Sequence, residues 1–158
     1  MSVQRWIRET LDERGIPYSV SHHDRVFTAQ EAAQREHVSG HRLAKVVAVF
    51  ADDKPVALVL PASRHVDLEQ VRRALDAGRV RLASEEELAR TFDDCEVGAV
   101  PPLRHWKNVE VYMDESLEVE GPIAFQAGTH EDVIKLNFRD WFDLVRPKTA
   151  RFAELARF

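Results

Sequence analysis

Apolar positions recur at helical spacing at the start of the chain, where Val3, Trp6, Ile7 and Leu11 fall on one face, and Gly15-Ile16-Pro17 breaks the run. The pattern predicts a helix over 3–14. "YSVSH" (18–22) reads as a short strand. Thr28 and Glu31 have the spacing of a capping box, which places a helix over 29–36. "LAKVVAVFA" (43–51) and "PVALVLP" (55–61) flank Asp52-Asp53-Lys54 and predict a hairpin. Both strands are apolar on both faces, which predicts central positions in a sheet. Asp67 with Gln70, and Ser84 with Glu87, repeat the capping spacing ahead of helices near 68–76 and 85–92, with a short strand in "GRVRLAS" between them. "DDCEVGAVPPLRHW" (93–106) is a proline-stiffened loop. Strands follow at 109–114, 123–128 and 132–138, then a helical turn in "RDWFDLVRP" and a terminal helix in "TARFAELARF". Strands and helices mix without strict alternation. The expected fold is mixed α/β, of the α+β kind: a largely antiparallel sheet with packed helices, in one domain spanning 1–158.

Composition narrows the function class. The chain has 158 residues, is 44% hydrophobic and 31% charged, and carries a formal charge of −5. These values fit a soluble domain with a substantial core. No apolar run approaches the ~20 residues of a membrane span, and the amphipathic, acid-bearing start is read as neither signal nor transit peptide. The one cysteine, Cys95, excludes an internal disulfide and fits a cytoplasmic location. Residues 1–81 carry 13 Lys/Arg against 11 Asp/Glu, and residues 82–158 carry 9 against 16. So acidic a chain is not expected to coat long stretches of nucleic acid, whose affinity rests on phosphate neutralisation. A local basic rim of Arg64, Arg72, Arg73, Arg79 and Arg81 remains, or simply a solvated helix face.

Most candidate chemistry is excluded by spacing. His37 and His41 are four apart, but Ser39 and Gly40 lie between them and no glutamate accompanies them; His22 and His23 point to opposite faces of a strand. No metal and no cofactor is expected. Cys95 sits among Asp93, Asp94 and Glu96, which oppose thiolate formation. Ser63 and His65 lack a nucleophile-elbow context, and no phosphate-binding glycine loop occurs. Three features resist a purely structural reading. Lys45 opens an apolar strand, either snorkelling to solvent or facing an anion. "GAVPP" (98–102) is a stiff loop whose amides can face a ligand. "AGTH" (127–130) ends a strand with a glycine, a hydroxyl and an imidazole.

At these residues the sequence resembles the YbaK/ProX-like aminoacyl-tRNA deacylases, a family that includes the editing domain inserted in bacterial prolyl-tRNA synthetases. The stretches that carry the resemblance are "YSVSHHDRVFTAQEAA", "LAKVVAVF", "LVLPASRHVDLEQV", "RLASEEELARTFDDCEVGAVPP" and "FQAGTHEDVIKL", in that order along nearly the whole chain. The resemblance implies a barrel-like, mainly antiparallel sheet ringed by helices. It also implies metal-independent hydrolysis of the ester joining a wrong, small amino acid to the 3′ end of a tRNA. The implied catalytic positions are Lys45 and His130. The implied substrate-binding positions are Gly98, Ala99, Val100, Pro101 and Pro102, with Gly128 and Thr129. The implied partners are the tRNA acceptor end and an aminoacyl-tRNA synthetase, with no membrane.

An aminoacyl ester is already activated, so binding, orientation and charge stabilisation suffice. Lys45 would hold a phosphate or a developing negative charge. Amides of Val97–Val100 would bind the carbonyl oxygen, where one good donor is worth about 3 kcal/mol of barrier. His130 would position water or the terminal ribose. Two departures from the family pattern bear on this. Leu103-Arg104 stands where the family often has an aromatic residue and glycine, and Glu131-Asp132 follows His130 directly. The alternative they favour is a non-catalytic module that binds an amino acid, a nucleotide or a synthetase through the same pocket.

Overall fold

A computed structural model describes residues 4–25 and 28–155. Val3 of the predicted first helix, Val26 and Phe27 of the first family-like stretch, and the last three residues of the predicted terminal helix lie outside the described residues.

Two strands organise the chain, β2 (Leu43–Ala51) and β3 (Lys54–Pro61), joined at Asp52-Asp53. Both aspartates adopt positive φ (47° and 67°), the backbone that a two-residue hairpin turn requires and that aspartate tolerates. Asp52 is held there by its carboxylate, which accepts from the amides of Gly78 and Arg79 at 2.9–3.0 Å. The hairpin is central, as its two-sided apolar pattern predicts. The sheet order is β1 (Tyr18–His22), β8 (Asp132–Asn137), β7 (Pro122–Gln126), β2, β3, β6 (Glu110–Asp114), β9 (Lys148–Ala150), and β5 (Val80–Leu82) adds to β2. The pairs β2–β7, β3–β6 and β6–β9 are parallel, so the sheet is more evenly mixed than the expected largely antiparallel one.

Helices cover both faces. On one, Ile7 and Leu11 of α1 (Arg5–Glu13) and Phe138, Trp141 and Val145 of α5 (Phe138–Val145) pack on Ala44, Val59, Phe125 and Ile134. On the other, Ala32 and Ala33 of α2 (Ala29–Arg35) pack on Leu43, Ala124 and Val133. Val71 of α3 (Leu68–Ala74) covers Val49, Leu58 and Leu60 on that same side. The capping predictions hold: Thr28 accepts from the Glu31 amide, Asp67 accepts from Gln70, and Ser84 with Glu87 forms a full box ahead of α4 (Glu85–Thr91).

The terminal helix does not form. Residues 148–150 are β9, and Ala153–Leu155 is β10, paired with β4 (Arg64–Val66), a strand with no sequence forecast. The cause is Asp114, 1% exposed at the end of β6. Its carboxylate accepts from the amides of Phe152 and Ala153 at 2.7 and 2.9 Å, and fully buried Phe152 fills the α3 side. A helix would withdraw those amides from a buried charge that has few other donors.

Candidate active site

Two of the three singled-out segments are bound to each other. Glu96 to Ala99 form a turn closed by the Ala99 amide on the Glu96 carbonyl at 3.0 Å, with Gly98 at φ 86° in its third position. That backbone belongs to glycine in a turn of this type. Gly98 is also fixed by proximity, because a Cβ there would stand 3.3 Å from Cε1 of His130. The His130 Nε2 donates to the Val97 carbonyl at 2.7 Å, and the His130 amide donates to the Glu96 carboxylate at 2.8 Å. Gly128, at φ 89°, donates its amide to Ala99 and accepts from the Glu96 amide. The tip of the loop and the strand-end corner are thus one rigid unit.

These bonds redefine several expected roles. A carbonyl only accepts, so His130 Nε2 carries its proton, and the buried ring acts as a strut holding the Val97–Gly98 peptide. The Ala99 amide is spent within the turn, and prolines have none, so of the loop's expected carbonyl-binding amides those of Val97, Gly98 and Val100 remain candidates. Pro101 and Pro102 are buried, and the Pro102 carbonyl accepts from Trp141 Nε1 at 2.8 Å. The Thr129 hydroxyl donates to buried Asp132 at 2.6 Å and accepts from the amides of Glu131 and Asp132. It shapes the corner.

The two departures from the family pattern are also structural. Arg104 caps α5, donating to the carbonyls of Val145 at 2.5 Å and Arg146 at 3.1 Å. Asp132 binds His22 at 3.0 Å, and Glu131 faces Arg25 at 3.7 Å. Arg25 also pairs with Glu96 at 2.9 Å. Partial burial opposes ionisation of Glu96, but the His130 amide and Arg25 outweigh it and hold the carboxyl below its usual range. Glu96, Arg25 and Asp132 are the framework that sequence reading missed: Glu96 reads there as a neighbour of Cys95 and Asp132 as a departure from the family pattern.

Lys45 is placed differently. It lies in β2 opposite Leu60, on the odd-numbered face with Leu43 and Val47, whereas Val100 of the loop packs on even-numbered Ala48. Among the described residues no hydrogen bond or ion pair joins Lys45 to the loop or the corner, or to any carboxylate. Burial alone pushes its ammonium group below the usual lysine range. What relates Lys45 to the corner is topology. Strands β2 and β7 run parallel through Leu43–Ala124 and Ala44–Phe125 and then part. Beyond the split, β2 begins with Lys45, and the β7 side leads through Gln126 and Ala127 to Gly128. The pairing ends at the second residue of β2 and near the carboxyl end of β7, so Lys45 and the corner leave it along separate paths.

Other chemistry is quiet. Burial, then the Asp94 carboxylate, pushes the Cys95 thiol up to about 12, so it stays protonated. Among the described residues no group of three or more His, Cys, Asp or Glu is placed to hold a metal ion, and no helix is long and apolar enough to cross a membrane. A groove of about 580 Å³ lined by Val56, Leu75, Arg104 and Tyr112 lies toward the hairpin turn and contains none of the candidate residues.

Residues 23–144 match the family described as an aminoacyl-tRNA editing domain. The chain is 29% identical over 140 residues to a proline–tRNA ligase of Gloeobacter violaceus, covering 84% of this chain and 23% of that one. It is 28% identical over 89 residues to the corresponding ligase of Latilactobacillus sakei, covering 56% and 16%. The chain thus spans less than a quarter of either relative. Its fold matches the crystal structure of a proposed trans-editing enzyme for prolyl-tRNA synthetase, with a TM-score of 0.83, 22% identity and coverage of 95% of this chain and 96% of that one.

Proposed function

We propose that this chain, which belongs to the aminoacyl-tRNA editing domain family, is a single editing domain over 1–158 that hydrolyses mischarged aminoacyl-tRNA in the cytoplasm. The observation that carries the reading is the end of the β2–β7 pairing, which we take as the mouth of a substrate crevice. Past it, β2 carries Lys45, a partly desolvated cation without a counter-charge among the described residues, and β7 leads to a rigid corner locked to a glycine turn. A half-buried lysine with no carboxylate against it among the described residues costs the fold stability and returns none. An anionic substrate, a phosphate of the terminal nucleotide or the oxyanion of ester hydrolysis, supplies the missing charge.

In this mechanism the acceptor end enters the crevice with its ester carbonyl toward the Val97 and Gly98 amides. Water adds to the carbonyl carbon, and the negative charge that forms on its oxygen is stabilised by those amides and by Lys45. Collapse breaks the bond to the ribose oxygen, which leaves with a proton as the free 3′ end, and the amino acid departs. His130 holds the turn in place for this step, and Pro101 and Pro102, anchored beneath, keep it stiff. A sheet curled barrel-like around its β1 and β9 ends would complete the crevice wall and belongs to the same proposal.

The relatives direct the choice of substrate. A proline tRNA bearing alanine, serine or glycine is the first candidate, with the synthetase itself as a partner that hands it over. The test is a deacylation screen over mischarged tRNAs in excess chelator. Release of a small amino acid is the expected result, and no release from any pair would overturn the proposal.

A further inference from the structure

Lys45 is not the one polar group without a partner among the described residues at the end of the β2–β7 pairing. Gln126 is only 6% exposed, and its Nε2 is buried and makes no hydrogen bond among the described residues. Gln126 follows Phe125 in β7 as Lys45 follows Ala44 in β2, one step past the last parallel pair. Side chains alternate along strands, so Gln126 shares the face of Ala124, and Lys45 that of Leu43; these two pack in one cluster beneath α2. On its other side Gln126 is paired with Val133, an apolar member of the same cluster. The lysine cannot satisfy this Nε2, because an ammonium group only donates.

An apolar side chain of similar length would fill this place without leaving a buried donor unpaired. The end of the β2–β7 pairing therefore places two donors on one face of the sheet, one cationic and one neutral, and no acceptor among the described residues uses them. Their complement is a ligand rich in oxygen acceptors at short spacing.

We infer that Gln126 is a substrate-positioning residue whose amide donates to the carbonyl oxygen of the aminoacyl ester while Lys45 meets the adjacent negative charge. The inference rests on the editing reading for the identity of the ligand. It adds a determinant of how the aminoacyl end is oriented, on the opposite side of the crevice from the glycine turn.

The test uses the full chain and two stable ligands, 3′-alanylamino-3′-deoxyadenosine and its analogue in which the amide carbonyl is reduced to a methylene. Binding is measured by calorimetry to wild type, Gln126→Met and Gln126→Leu, with melting curves of all three. Wild type should bind the carbonyl ligand more tightly than the reduced one, and Gln126→Met should cut that preference about tenfold while melting no lower. Gln126→Leu is a second apolar replacement, so the comparison stands even if Gln126→Met does not fold. Equal affinity of wild type for the two ligands, no binding of either, or a folded Gln126→Met that keeps the preference would overturn the inference. A carbonyl preference cut in Gln126→Met, without hydrolysis of any mischarged tRNA, would uphold it and sink the editing reading alone.

Discussion

The His130 ring donates to the Val97 carbonyl at 2.7 Å while its Cε1 lies 3.3 Å from where a Gly98 side chain would begin. The two residues are 32 positions apart in sequence and leave no room between them. Gly98→Ala must both adopt positive φ and displace the imidazole. Left-handed backbone costs an L-residue about 1–2 kcal/mol, so the melting temperature should fall by about 3–6 °C for a chain of this size. Turnover should fall further than that loss explains. A variant with wild-type melting and wild-type turnover would show that the turn needs no glycine.

His130 acts through its donor, so what replaces it should matter more than its loss of basicity. Glutamine can also donate to the Val97 carbonyl. His130→Ala should lower turnover by about 100-fold through a misplaced turn, and His130→Gln should recover most of it. Equal defects in the two variants would point to imidazole chemistry in place of a strut.

Lys45 has the opposite signature. Its folded-state pKa is depressed by burial. Below that pKa the lysine is charged in both states, and its desolvation costs the fold. As pH rises toward 10.5, the unfolded chain keeps a proton that the folded chain has released, so the cost is progressively removed. Lys45→Met should therefore melt no lower than wild type at neutral pH. Its advantage should shrink as the pH climbs through that window, with turnover still lost. Melting curves from pH 7 to 10.5 measure this; a marked drop in stability at neutral pH would make Lys45 a structural residue.

The acidic balance predicts how tRNA is held. Affinity should change shallowly with salt, corresponding to about two to four phosphate contacts where extensive binders make about 6–10. Titrations of full-length tRNA and of a short acceptor-stem mimic should run parallel. A much steeper slope for the full-length molecule would reveal a broad footprint.

Much of this was legible in the chain. The β2–β3 hairpin announced itself because apolar residues fill both faces of both strands, and each cap followed from two residues three apart. The C-terminal segment misled because Phe152 and Leu155 fit a helical face equally well. What decides it is Asp114, 38 residues upstream, and no local pattern encodes that contact. At the site, Gly98 and Gly128 were legible as backbone requirements. The positions of Glu96 and Asp132 were not, since an acidic side chain in an acidic run gives no sign that it will be buried against an amide or a hydroxyl. Thr129 looked like a ligand group for the converse reason: its hydroxyl is consumed by a residue three positions away. Gln126 carried no signal in a strand of otherwise apolar residues.

The central claim is that the charge missing beside Lys45 belongs to an aminoacyl ester. The measurement that tests it most directly is the hydrolysis rate of alanyl-tRNA for proline, with prolyl-tRNA alongside, by wild type and by folded Lys45→Ala. Rapid release of alanine by wild type, sparing of proline, and a rate for Lys45→Ala close to spontaneous hydrolysis are the predicted results. Hydrolysis by Lys45→Ala at the wild-type rate would contradict the claim.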